Sequence, residues 1–273
     1  KTAWLLKNPD MTSINAVYVD GLWAPEDFSP AFVVSVDVAA RSLFFPAAGP
    51  YIDRIGLAVD HHPSFEGFGE ARCVDASCAA CGEIVYEICR ALGEVTPEVA
   101  LPLYAAVATD TGCFVYANTT ANTHRVAAAL LETGTDYFTV NKRHFRTKTR
   151  RRMAIEAELM GNAEFFHQDR GVFLTIPLSL LARTGADEND LDDISSLAGI
   201  IEGVDCGAVL RELKDGEWKL SLRTGANGRV NATRACGLLG GGGHAMAAGA
   251  TLHGTLEEVK RQVLDAIDQV AEN

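Results

Sequence analysis

The chain has no apolar stretch that reaches the roughly 20 residues a helix needs to cross a bilayer, and it carries no signal-peptide pattern. A membrane-spanning or secreted protein is therefore not expected. It also lacks a cysteine framework. Seven cysteines, an odd number at irregular spacing, argue against a disulfide scaffold and for a reducing compartment, the cytoplasm. Net positive charge is missing as well: 24 Lys and Arg against 36 Asp and Glu leave −12 at pH 7. Such a balance disfavours a broad polyanion-binding surface, and so a duplex or long nucleic acid as partner. No internal repeat is present, and no low-complexity tract apart from four glycines at 240–243. What remains is 273 residues, 48% of them hydrophobic, enough for one large core or two modest ones.

Against that background one stretch stands out. Ile55-Gly56-Leu57-Ala58-Val59 reads as a short buried strand and leads straight into Asp60-His61-His62-Pro63. Open α/β sheets bind ligands at the carboxyl ends of their strands, and imidazole nitrogen with carboxylate oxygen suits a divalent transition metal. Two further acids sit in similar settings. Ala31 to Val36 is an apolar run that ends in Asp37, and Leu101 to Ala108, helical by its alanines, ends in Thr109-Asp110-Thr111-Gly112. A carboxylate just beyond an apolar segment is costly to bury unless paired or metal-bound. Each acid alone could simply terminate its element; three together, one of them in Asp-His-His, point to a shared metal site. Adjacent residues of an extended chain point to opposite sides, and Pro63 biases His62 toward an extended backbone, so His61 and His62 are expected to do different jobs.

Three other features need weighing. Cys78-Ala79-Ala80-Cys81 has a zinc-like spacing, but no second pair accompanies it, and it runs into a helix over Gly82–Ile88; it reads as small residues at a helix start. Lys142 to Arg152 holds seven Lys or Arg in eleven positions. That run is either the solvated face of a linking helix or a device that steers short anions, the latter weakened by salt. Gly240 to Gly243 runs into His244 and the small-residue segment Ala245 to Ala250, which suggests packing rather than a flexible linker. Glycines let backbone N–H groups approach an anion closely, so Gly241, Gly242, Gly243 and His244 are candidates for holding a phosphate or carboxylate.

The pattern of elements predicts an α/β protein in two parts. Residues 1–140 alternate strand-like and helix-like segments, as for a parallel sheet flanked by helices. One basic linker helix is expected over 141–162, through Met153, Ile155 and Leu159. Residues 163–273 form a smaller α/β domain, with strands at Gly171–Ile176, Cys206–Leu210 and Glu217–Arg223, a helix over Asn189–Ile201 and an amphipathic terminal helix over Leu256–Ala271.

Asp37, Asp60-His61-His62 and Thr109-Asp110-Thr111-Gly112 resemble, in order and spacing, the second, third and fourth motifs of the DHH phosphoesterase superfamily. Asn118-Thr119-Thr120 also fits. Gly240 to Ala250 resembles the glycine-rich signature of the DHHA1 domain, and Ser221-Leu222-Arg223-Thr224 the arginine-bearing strand before it. The resemblance spans most of the chain and is nearest to the nano-RNases, which act as oligoribonucleases and 3'-phosphoadenosine 5'-phosphate phosphatases. One motif departs: the family's first, His-x-x-Pro-Asp-x-Asp, does not occur. Asn8-Pro9-Asp10 is a faint echo, 27 residues before Asp37. The chain opens on Lys1, and residues to about Pro30 read as following a first motif absent from this sequence.

The resemblance implies a parallel-sheet DHH domain joined by the linker helix to a DHHA1 domain, with the active site in the cleft between them. It implies that His61 ligates a metal, Asp37 bridges two metals and Asp110 completes the site, while His62 faces the substrate phosphate and Asp60 orients an imidazole. The metals would be manganese, two per site, or magnesium. Arg223 and the Gly241–His244 loop would hold a short single-stranded RNA or a small nucleotide. Implied functions are hydrolysis of short oligoribonucleotides to nucleoside monophosphates and removal of the 3'-phosphate of 3'-phosphoadenosine 5'-phosphate. Two alternatives stay open: a cyclic or linear dinucleotide phosphodiesterase of the cyclic di-AMP type, and a degenerate protein that binds nucleotides without cleaving them. The oligomeric state is also open, a homodimer included.

Overall fold

The computed structural model describes residues 5–6, 15, 17–19, 21–191, 193–225 and 229–271. The chain divides into two compact units, Lys1–Thr147 and Lys148–Asn273. Among the described residues no helix is long and apolar enough to cross a membrane. Asn8-Pro9-Asp10 lies outside the described residues.

In the first unit, β1 (Val33–Val36), α1 (Gly49–Ile52), β2 (Ile55–Asp60) and β3 (Ala71–Val74) precede α2 (Cys81–Leu92), α3 (Pro97–Asp110), α4 (Ala121–Glu132) and α5 (Tyr137–Asn141). The three strands form an all-parallel sheet in the order β1-β2-β3. The middle strand is apolar on both faces, as a covered parallel strand must be, and Ile55, Ala58 and Val59 are buried. Helix α3 starts on Pro97, whose missing N–H costs nothing at a first helical position. It packs Leu103, Tyr104, Val107 and Ala108 against Val126 and Leu130 of α4 and Val140 of α5. Thr120 and Thr123 cap α4 reciprocally, each side chain accepting from the other's backbone N–H.

The second unit runs α6 (Arg150–Gly161), β4 (Glu164–Phe166), β5 (Gly171–Ile176), α7 (Leu178–Thr184), β6 (Cys206–Lys214), β7 (Glu217–Thr224), α8 (Ala232–Leu238), β8 (Gly242–His244), β9 (Ala247–His253) and α9 (Leu256–Val270). Its sheet has the order β4-β5-β6-β7-β9-β8, with only β5 and β6 parallel. One face is covered by α8 and α9, where Ala235, Val259, Val263 and Ile267 meet Leu210, Leu220, Leu222 and Ala248. The other face is covered over β5 and β6, where Ile155, Leu159, Leu180 and Leu197 meet Val172, Leu174 and Val209. Beyond β6 that face carries only half-buried or exposed residues, Lys219, Ser221 and Arg223 of β7 among them.

Two expected helices are corrected. The single helix over 141–162 is interrupted: α5 ends at Asn141, one π turn spans Lys142–Arg146, and Thr147 is extended. Thr149 then begins α6 afresh, its Oγ1 accepting from the Arg152 N–H at 2.9 Å. The boundary between the units falls inside the basic run. The expected helix over Asn189–Ile201 is two 3-10 stretches, Glu188–Leu191 and Ile194–Ile200, with Asp193 left-handed at φ 49° between them. Within the first stretch the Asp190 carboxylate accepts from Thr149 Oγ1 at 2.6 Å and Arg151 Nε at 2.7 Å. Those contacts also bear on the basic run. Lys148 and Arg152 both reach Glu156 at 2.6 Å, so three of its seven cations, Arg151 included, pair with carboxylates.

Candidate metal centre

The parallel register brings the first two acid-bearing segments to one edge. Val36 lies opposite Val59, and Asp37 N donates to Val59 O at 2.9 Å, so Asp37 and the Asp60-His61-His62 segment leave the sheet side by side. Asp37 adopts a left-handed backbone, φ 61°, a conformation Asp tolerates better than most residues. Asp110, the last residue of α3, meets them there. His61 Nε2 stands 3.4 Å from Asp37 Oδ1 and 3.6 Å from Asp110 Oδ2. Asp37, His61 and His62 each offer a ligand atom within 4.8 Å of the others, and no other such group of three His, Cys, Asp or Glu occurs among the described residues.

The His61 ring is aimed from behind. Its Nδ1 lies 3.2 Å from the Cys78 carbonyl oxygen. A carbonyl only accepts, so Nδ1 serves as the donor there and Nε2 is the ring atom that faces the two carboxylates. This arrangement, a ligating imidazole backed by a fixed acceptor, is the usual setting of a metal histidine. Asn118 holds the surrounding loops together, its Nδ2 lying 3.1 Å from both the Ala79 and the Asp110 carbonyl oxygens. Thr111, fully buried, ties the end of α3 by donating to Val107 O at 2.7 Å and accepting from Phe114 N at 3.1 Å.

His62 is held differently. Asp60 Oδ1 accepts both its backbone N–H at 2.6 Å and its Nδ1 at 2.8 Å, which leaves Nε2 as the outward atom. Asp60 itself is only 1% exposed. Its carboxylate is buried behind the site, where its contacts are with His62. One expectation fails here: the two imidazoles do not diverge. Their centroids are 4.5 Å apart, and His62 Nδ1 also lies 3.8 Å from Asp37 Oδ1. Strand β2 ends at Asp60, so the pleat's alternation does not extend to His61 and His62.

Electrostatics fit an ion. Burial first, then the Asp37 charge, push the Asp110 carboxyl up to about 6. Burial also raises Asp37, against the opposing pull of His61 and His62. Two crowded carboxylates, both raised by burial, are a site short of positive charge. Two donors that share one cation at about 2.1 Å each stand about 3.0–3.5 Å apart, which matches the His61 separations to within a tenth or so. Orphaned nearby is Asp60 Oδ2, buried without a hydrogen-bond partner among the described residues. The residues therefore fit a divalent cation. The neighbouring thiols do not join them: burial, then nearby carboxylates, push Cys78 up to about 11 and Cys81 up to about 12. Cys81 is the first residue of α2 and its Sγ donates to Val59 O, in keeping with a packed helix start.

In the second unit the expected substrate residues assemble on one sheet face. Arg223 and His244 both lie opposite Ala247, on β7 and β8 respectively. Directly opposed residues point to the same side, so Arg223 and His244 flank the small Ala247 across roughly 10 Å, two strand spacings. Gly242 sits opposite Gly249 one step along, exposing bare backbone beside them. Different glycines are needed for different reasons. A Cβ on Gly243, whose φ is 144°, would stand 2.6 Å from Ala247 O, and one on Gly241 would strike Gly249 O. Those two let β8 close on β9. Gly242 has nothing within 4 Å of such a Cβ, so packing does not explain it.

The whole arrangement has recognisable relatives. An exopolyphosphatase-related protein from Bacteroides fragilis superposes with a TM-score of 0.80 at 20% identity, covering 87% of this chain and 71% of that one, which shows a shared fold. The DHHA1 domain family matches residues 173–273. Over 240 residues the chain is 34% identical to a protein of Thermus thermophilus named bifunctional oligoribonuclease and PAP phosphatase NrnA, covering 87% of this chain and 70% of that one. A probable NrnA of Streptococcus mutans is 26% identical over 85% of this chain and 73% of its own length. The chain belongs to the DHH/DHHA1 phosphoesterases, in the group of these nano-RNases.

Proposed function

We propose that this chain is a divalent-metal-dependent phosphoesterase that hydrolyses short single-stranded oligoribonucleotides to nucleoside monophosphates and removes the 3'-phosphate of 3'-phosphoadenosine 5'-phosphate. The observation that carries this reading is His61 Nε2 facing two crowded carboxylates at 3.4 and 3.6 Å. The names of the Thermus and Streptococcus relatives support the substrate class.

Asp37, His61 and Asp110 would hold the cation, manganese or magnesium. When bound, such an ion polarises a phosphoryl oxygen and makes water a better nucleophile near neutral pH. His62, oriented through Nδ1 by Asp60, presents Nε2 to the phosphate and can hold or pass a proton there. Arg223 grips an anionic group through two parallel N–H bonds, while His244 and the Gly242 backbone line the same face. Asp37, His61 and His62 gather their donor atoms together, with Asp110 Oδ2 3.6 Å from His61 Nε2, and among the described residues no second such group stands ready for the second ion implied by the family. That single set also favours a second reading, a protein that binds nucleotides without turnover.

A substrate panel with manganese separates these readings. Dinucleotides and 3'-phosphoadenosine 5'-phosphate should turn over fastest, long RNA and cyclic di-AMP slowly, and Asp110→Ala should abolish all turnover while the fold persists. Fastest cleavage of cyclic di-AMP would support the cyclic-dinucleotide alternative. Nucleotide binding with no turnover would support the second reading.

A further inference from the structure

One buried carboxylate has no part in the site described so far. Glu83, in the first turn of α2, is 1% exposed. It accepts from the Ala79 N–H at 3.0 Å and Thr123 Oγ1 at 2.8 Å through Oε1, and from Asn122 Nδ2 at 2.9 Å through Oε2. All three partners are donors, the pattern an acceptor-only carboxylate fills. Two helix N-termini, those of α2 and α4, favour negative charge at the same spot. A buried carboxylate this fully engaged could be mere cement between helices. The identity of its first donor says more. The Ala79 N–H belongs to the same planar peptide group as the Cys78 carbonyl, and that carbonyl is the acceptor for His61 Nδ1 at 3.2 Å. Glu83 therefore holds one end of a rigid amide whose other end holds the His61 ring.

We propose that Glu83 is a positioning residue of the metal centre: through the Cys78–Ala79 peptide it fixes the His61 ring with Nε2 facing Asp37 and Asp110. The anion at the N–H end polarises the amide, which strengthens the carbonyl as acceptor for the His61 Nδ1–H. A stronger acceptor holds the Nδ1–H tautomer and makes Nε2 a better donor to a cation. Asn118 braces the next peptide, its Nδ2 lying 3.1 Å from Ala79 O. The relay thus runs from a carboxylate through a backbone amide to an imidazole, where metalloproteins more often place the carboxylate directly on the ring.

The proposal rests on His61 as a metal ligand, and its test has one arm free of metal. In metal-free protein at alkaline pH, where ordinary imidazoles are neutral, nitrogen NMR reports which ring nitrogen of His61 bears the proton. The Asp37 and Asp110 carboxylates compete for a proton on Nε2, so the reading is the difference between parent and variant, with the larger Nδ1–H share in the unsubstituted chain. Glu83→Gln keeps the shape and an oxygen for Ala79 N–H, and a flip of Asn122 removes the one donor clash, so it subtracts little beyond the charge. It should shift His61 toward the Nε2–H tautomer and weaken manganese binding about 10–100-fold, followed by electron paramagnetic resonance. Asn122→Ala, which leaves the Ala79 contact in place, should change manganese affinity less than threefold. An unchanged tautomer and an affinity within twofold of the parent in Glu83→Gln would overturn the relay. A parent chain that binds no manganese would instead strike the proposed function, while the tautomer still decides the role of Glu83.

Discussion

Replacing Asp110 by Asn should stabilise the metal-free protein at neutral pH while removing its metal binding. The Asp110 carboxyl sits at about 6 in the folded chain, against 3.8 for an unperturbed aspartate. Between those values the unfolded chain has released its proton and the folded one has not, so folding stability falls as pH rises from about 4 to about 6 and levels off above. That difference corresponds to at most about 3 kcal/mol. The side chain is 31% exposed, so solvent screening reduces this to roughly half, about 1.5 kcal/mol. For a folding unit of this size that is a Tm gain of roughly 3–6 °C. Differential scanning calorimetry in chelator at pH 7.5 should show the gain for Asp110→Asn, and at pH 4 it should shrink toward zero. Added manganese should then reverse the order, raising the parent's Tm and leaving the variant's unchanged. A variant less stable than the parent in chelator at pH 7.5, or a gain undiminished at pH 4, would refute the electrostatic reasoning.

Other substitutions separate the roles assigned above. Arg223→Ala should raise KM for dinucleotides about 10–100-fold, the loss expected for a charge-assisted pair, with manganese affinity unchanged by titration. Gly241→Ala should lower Tm clearly, because its Cβ would strike the Gly249 carbonyl oxygen, whereas Gly242→Ala meets open space and should alter substrate affinity rather than Tm. Cys78→Ser and Cys81→Ala should both retain manganese binding, since protonated, packed thiols contribute no ligand; loss of metal in either variant, with the fold intact, would reopen the CxxC pair as a site.

The sequence was most legible where side-chain chemistry and chain direction coincide. An apolar strand that runs into Asp-His-His, and another that ends in Asp37, suffice to foresee their donors at one edge, because a parallel sheet puts its strand ends on one side, whereas Asp110 ends a helix and that rule does not place it. The mutual placement of His61 and His62 was misjudged for a local reason: alternation holds only within a strand, and β2 stops at Asp60. The helix breaks at Thr147 and Asp193 were equally hidden. They accompany Thr149 acting as a cap and Asp190 being claimed by Thr149 and Arg151, pairings that link positions about 40 residues apart. Least legible of all was the Cys78 carbonyl behind His61. Every residue carries such a carbonyl, so no residue type announces it, and Glu83 reads in the sequence as one more helix residue. Glycine is a mixed case, since the run at 240–243 signals something special without saying which members serve packing.

The most direct measurement is a crystal structure of the protein soaked in manganese, with anomalous scattering recorded to locate the ion. A peak within coordination distance of His61 Nε2 and of the Asp37 and Asp110 carboxylates is the predicted result. Saturating manganese with no peak at those three side chains would contradict the account.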